Sequence, residues 1–222
     1  MPEFLKVATP DQVFEALAGF RRVAVETIAL DAALGRVCGA DIASPEDLPP
    51  QPRSTMDGFA VRAADTFGAS DSIPAFLEIA GAVAMGKITD ISVDKNRAVA
   101  IPTGGFLPRG ADAVVMVEYT NPAGEGAIEV TRPVTTGENV LAKAEDVTRG
   151  EIVIPAGRRL LPQDLGLLAG LGITEVAVYR KPKVAVVSTG DEIVPVTAAP
   201  PPGQIRDINA HSIAALVRAA GG

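Results

Sequence analysis

A chain of 222 residues, 47% apolar and 21% charged, has the composition of one large globular domain or two small ones and the opposite of a disordered balance. A formal net charge of −7, 4% aromatic residues and no Trp work against nucleic-acid binding, which asks for a cationic face and stacking rings. One Cys (Cys38) and one His (His211) exclude an internal disulfide and any zinc site built from clustered Cys and His.

Thr9, Pro10 and Gln12 have the spacing of an N-cap, a first-turn proline and a capping-box partner, so a helix is expected from Pro10, with Val13, Phe14 and Leu17 near one face. Val23–Ile28 is expected as a strand, followed by a helical turn over Asp31–Leu34 that Gly35 closes in a left-handed conformation. Ser44–Ser54 carries four prolines and no apolar period, which fits an extended crossover between domains. Phe59–Arg62, Phe76–Ala80, Ala98–Ile101, Ala113–Glu118 and Ile128–Thr131 are short strand candidates, with turn clusters such as Asn121–Gly126 between them. That texture predicts a small barrel or sandwich. Pro162 opens a helix reaching Gly170, and Val176–Tyr179 has a strand pattern. Lys183–Val187 is expected as a buried-type strand ending in Ser188-Thr-Gly-Asp-Glu192, and Asn209 as the N-cap of a helix over Ala210–Ala220. Strand, loop and helix are two-thirds of a βαβ unit whose return strand is absent, so the chain is expected to be the front portion of a longer protein. The opening MPEFLKVATP lacks the basic front and apolar core of a secretion signal, and the longest strongly apolar run, Leu165–Ile173, is far below the ~20 residues that span a bilayer. A cytoplasmic protein without membrane or nucleic-acid partners is expected.

Gly81–Lys87 matches the spacing of a phosphate-binding loop up to its lysine. Ile88 stands where a Ser or Thr must hold magnesium, and no helix pattern follows, so the segment is expected as a glycine-rich hairpin. In STMDGFAV, Asp57 either sits in an ordinary turn with a solvated carboxylate or meets a ligand at a domain edge. Thr103-Gly104-Gly105 follows a strand; it is either a tight turn before Pro108 or a place where backbone and hydroxyl approach a ligand. Glu145 and Asp146 precede Arg149-Gly150, in an acidic loop at the simplest. Ser188, Thr189, Gly190, Asp191 and Glu192 stand at the carboxyl end of a parallel-type strand, where open α/β sheets bind ligands. Carboxylates repel a phosphate directly, and Mg²⁺ between them removes the conflict. His211 near a helix start is assigned no role, and Cys38 is expected to be a small buried side chain.

Five segments in fixed order, STMDGFAV, IPTGG-LP-GADAVV, AEDV, LLAGLGITEVAVYRKPKVAVVSTGDE and GQIRDIN, resemble the amino-terminal part of the molybdopterin molybdenumtransferases (the MoeA/gephyrin E-domain family) from about Val23 onward. The resemblance implies a mixed α and β, multidomain and elongated architecture. Residues 1–44 and 149–180 would form a discontinuous helix-and-strand domain, 45–148 an inserted β-barrel or sandwich, and 181–222 the start of an α/β domain. It implies Mg²⁺-dependent insertion of molybdate into adenylylated molybdopterin with release of AMP, by a homodimer that puts Asp57, Thr103 and Asp146 of one subunit opposite Asp191 and Glu192 of the other. On that likeness Asp57, Asp191 and Glu192 hold magnesium, Thr103 bonds a phosphate or molybdate oxygen, and Gly104, Ser188, Thr189 and Gly190 border the molybdopterin substrate. The upstream molybdopterin adenylyltransferase is an implied partner, and a dimeric scaffold of the gephyrin type is the alternative to catalysis. Two positions depart from the family pattern GEN-(I/V)-R-x-x-G-E-D: Leu141 stands for its Arg and Ala144 for its Gly, with Lys143 the nearest cation. The family's later pterin-cradling motifs are missing, so this polypeptide alone is expected to be inactive.

Overall fold

A computed structural model describes residues 8–222, which divide into two compact units: residues up to Ile42 with Ile154–Gly222, and Ala43–Val153.

In the first unit the helix Pro10–Ala18 starts as its sequence dictates. The Thr9 hydroxyl accepts from the Gln12 amide and the Gln12 side chain accepts from the Thr9 amide. Val25–Ala29 pairs antiparallel with Glu175–Tyr179, and a 3₁₀ turn over Leu30–Ala32 leads to Gly35 at φ +73°. The helix Pro162–Gly170 is anchored by Asp164, a buried carboxylate that accepts from the Leu161 amide and grips the Arg158 guanidinium through two bonds of 2.8 and 3.2 Å. Cys38, Ile154, Leu160, Leu168 and Val178 are fully buried, so the structural role expected for Cys38 holds; burial raises its thiol pKa above the ordinary value.

Lys183–Val187 is not a strand. The segment is extended but unpaired, and Val184 and Val187 are exposed, because no neighbour among the described residues offers it a hydrogen-bond ladder. Pairing resumes only at Ile193–Val194, parallel to Ile205–Arg206. The last helix spans Asn209–Ala220 and ends at Gly221 in the left-handed region. Its first-turn amide at Ala210 is satisfied by the Asp207 carboxylate rather than by Asn209, a correction to the expected cap.

The second unit is built on a six-stranded sheet in the order Ala113–Met116, Gly58–Val61, Arg97–Ile101, Ala75–Ala82, Ala127–Val130, Thr120–Pro122. All five predicted strands are present. The twofold alternation of side chains gives the sheet a core on each face: Val61, Ala98, Ala113 and Val115 with Leu77, Ile128 and Val130 on one, and Ala60, Val99, Ile101 and Val114 with Val83 and Val93 on the other. The expected glycine-rich hairpin is not formed. Ala75–Ala82 and Arg97–Ile101 run parallel, Gly81 lies within the first of them at a register shift, and residues 83–96 are a crossover.

The proline-rich segment is extended as expected, with a cis peptide at Leu48–Pro49, but it is also paired. Arg53–Ser54 lies antiparallel to Val140–Leu141 on one side and bridges Phe106 on the other. No helix among the described residues is long and apolar enough to cross a membrane.

Candidate functional site

Asp57 and Thr103 are 46 residues apart in sequence and meet in the second unit. Asp57 follows the paired Arg53–Ser54 segment, and Thr103 opens the turn that carries the chain back along its other side. Gly105 donates its amide to the Pro102 carbonyl, and the Ser54 amide donates to Gly105. The Gly104 amide donates to Ser54 at 2.8 Å, and Gly104 adopts φ +78°, which its missing Cβ permits. This lacing aims the Thr103 amide at the Asp57 carboxylate, which accepts it at 2.7 Å. The amide, and then the hydroxyl, of Thr103 hold Asp57 below its ordinary pKa of 3.8, although the carboxylate is solvent-exposed.

The backbone beside Asp57 depends on Gly58. It crosses the neighbouring strand so closely that a Cβ there would overlap the Val115 carbonyl oxygen. The Val117 amide donates to the Asp57 carbonyl and fixes the same corner from that side.

Asp146 lies at the opposite end of the crossover. Its amide donates to the Leu48 carbonyl, the Ala144 amide donates to Pro49, and the side chain is exposed. The strand between these two ends is Arg53–Ser54, so Asp57, Thr103 and Asp146 are tied to one extended segment, with Arg53 between them. Ala144 adopts φ +61°, the left-handed region, which explains physically why a glycine suits this position. Lys143 pairs with Asp47 at 3.1 Å, and Asp47 also accepts from the Arg149 amide; that amide first and Lys143 second keep the Asp47 carboxyl below its ordinary range. Lys143 is therefore already engaged by the crossover.

The Ser188–Glu192 segment is organised in the first unit. The Ser188 hydroxyl donates to the Asp207 carboxylate at 2.8 Å, which joins STGDE to the later RDIN segment. Asp207 has the Ala210 amide first, then this hydroxyl, lowering its carboxyl pKa. It is a site-shaping residue that the sequence reading missed; an Asp three residues before a helical amide was the available signal. Gly190 turns the chain so that a side chain there would collide with the carboxylate of Glu192, while the Ile205 amide donates to the Glu192 carbonyl. Thr189, Asp191 and Glu192 are exposed. Among the described residues no three His, Cys, Asp or Glu side chains gather to hold a metal.

Residues 9–172 match the family described as MoeA N-terminal region (domain I and II). This chain belongs to the MoeA N-terminal family. A molybdopterin molybdenumtransferase of Staphylococcus epidermidis is 36% identical over 95% of this chain and 51% of its own length. One from Bacillus subtilis is 36% identical over 98% and 52%. A MoeA protein structure from Pyrococcus horikoshii superposes with a TM-score of 0.84 at 36% identity, over 90% of this chain and 53% of that one. The chain thus spans about half the length of the curated MoeA relatives it matches, and its mixed α and β architecture is that of the MoeA structures.

Proposed function

We propose that this chain is the N-terminal portion of a molybdopterin molybdenumtransferase and contributes both halves of a site shared between two subunits. Asp57, Thr103 and Asp146 of one subunit would face Asp191 and Glu192 of the other around adenylylated molybdopterin and molybdate. The observation that carries this reading is the Asp57–Thr103 bond, which brings two separate family segments into one solvent-facing turn.

Phosphoryl cleavage of this kind relies on positioning and charge neutralisation, with little covalent work for the protein. The residues suit that division. The Thr103 amide is spent on Asp57, and its hydroxyl, which also supports that carboxylate, would turn to donate to a phosphate or molybdate oxygen. Gly104 leaves space for close approach, and Ser188, Thr189 and Gly190 form the polar border on the other half. The donor set of Asp191, Glu192 and Asp57 is made of hard carboxylate oxygens, which fits Mg²⁺, an ion commonly bound by one or two carboxylates plus substrate phosphates. Asp191 and Glu192 would hold the ion from one subunit and Asp57 from the other. The bound ion would neutralise the diphosphate's charge. Release of AMP from adenylylated molybdopterin by the complete protein, dependent on Mg²⁺ and molybdate, tests the assignment. Loss of release with Asp191→Asn is expected; full release after replacing Asp57, Asp191 and Glu192 together would contradict it.

A further inference from the structure

We infer that Arg53 is the oxyanion-binding residue of the Asp57–Thr103 half-site, an inference that rests on the function proposed above. Arg53 occupies the middle strand of a three-stranded patch, with Phe106 opposite it on one side and Leu141 on the other. Residues directly opposed in antiparallel pairs project to the same face, so the guanidinium lies in a row between an aromatic and an aliphatic neighbour. Its Cζ stands 4.7 Å from the centroid of the Phe106 ring.

The guanidinium lacks an anionic partner. Of the half-buried arginines, Arg36, Arg62 and Arg97 each pair with a carboxylate, and among the described residues none pairs with Arg53. Its Nε is buried and makes no hydrogen bond. A buried donor left unmade and a half-buried charge left unpaired both cost free energy, in a molecule that carries an excess of acids. An anion from outside the chain would pair with the charge, and a shift of the side chain would bring the sealed Nε to it. Position identifies its class. Arg53 lies four residues before Asp57, across from the turn led by Thr103, and on the segment whose other end tethers Asp146. The strand that carries Arg53 is laced through the Ser54 backbone to Gly104 and Gly105, and a planar fork of donors on that strand suits a tetrahedral oxyanion, either the diphosphate of an adenylylated substrate or molybdate itself.

The test is titration of the 222-residue chain with inorganic pyrophosphate and, separately, with molybdate, followed by nuclear magnetic resonance at the Arg53 Nε–H and at the Thr103 and Gly104 amides. The Arg53 Nε–H resonance is expected to shift with at least one anion, and the arm that responds identifies which. Arg53→Gln should weaken that binding about tenfold. Adding Leu141→Arg, which puts a guanidinium directly across the strand pair, should restore part of it. If the Thr103 and Gly104 amides respond while the Arg53 signal and the affinity of Arg53→Gln stay unchanged, the assignment of Arg53 is wrong and the half-site stands. If neither turn nor guanidinium responds to either anion, the oxyanion site falls together with this inference.

Discussion

Ala144 shows how one side chain can report on a backbone. Its φ of +61° places an L-residue with a Cβ in the left-handed region, where a clash with its own carbonyl costs roughly 1–2 kcal/mol. Glycine removes that strain but gains freedom in the unfolded chain, an offset of about 0.4–1 kcal/mol. Ala144→Gly should therefore stabilise the protein by about 0.5–1 kcal/mol in urea unfolding. Unchanged or reduced stability would show that the loop is not held in this conformation. At Asp57 the argument concerns protons. A carboxyl whose folded pKa is depressed contributes above the unfolded value, and the contribution is lost as pH falls through the folded value. The Thr103 amide resonance should thus titrate with a midpoint below 3.8, and Asp57→Asn should abolish the transition. A midpoint at or above 3.8 would remove the bond. Local motifs leave Asp57 and Thr103 as either turn residues or ligand contacts, and the family resemblance points to the second. Their contact was not legible in the sequence, because it depends on two chain segments lacing through Ser54.

Among the elements, those set by local rules were readable and those set by partners were not. The capping box of Thr9 and Gln12 and the alternating strands of the second unit follow from spacing alone, and both are present. Lys183–Val187 has as good a strand pattern as any, yet hydrophobicity cannot supply the ladder it lacks. The segment after Gly81 was expected to reverse direction, and instead crosses over to a parallel neighbour. Turn residues mark where a strand ends without saying which edge the next one joins. Arg53–Ser54 was likewise hidden within a run of prolines, since a two-residue pairing leaves no periodicity. The close crossing at Gly58 gives a sharp test at this scale. Gly58→Ala forces a Cβ onto the Val115 carbonyl and should destabilise the second unit by about 3 kcal/mol in urea unfolding. A loss below about 0.5 kcal/mol would mean the strands stand further apart.

For the molecule as a whole, the family kinship covers both units, and the proposed chemistry needs groups from each. Asp57, Thr103 and Asp146 belong to the second unit, while Ser188 to Glu192 belong to the first. The proposed pairing of two subunits around each site draws these carboxylates together. The most direct measurement of that claim mixes two inactive forms of the complete protein, Asp57→Asn and Asp191→Asn, refolds them together and follows AMP release. A shared site predicts that each mixed dimer keeps one intact site, so that random pairing recovers about one quarter of wild-type activity. No recovery, with mixed dimers demonstrated by mass, would contradict the account.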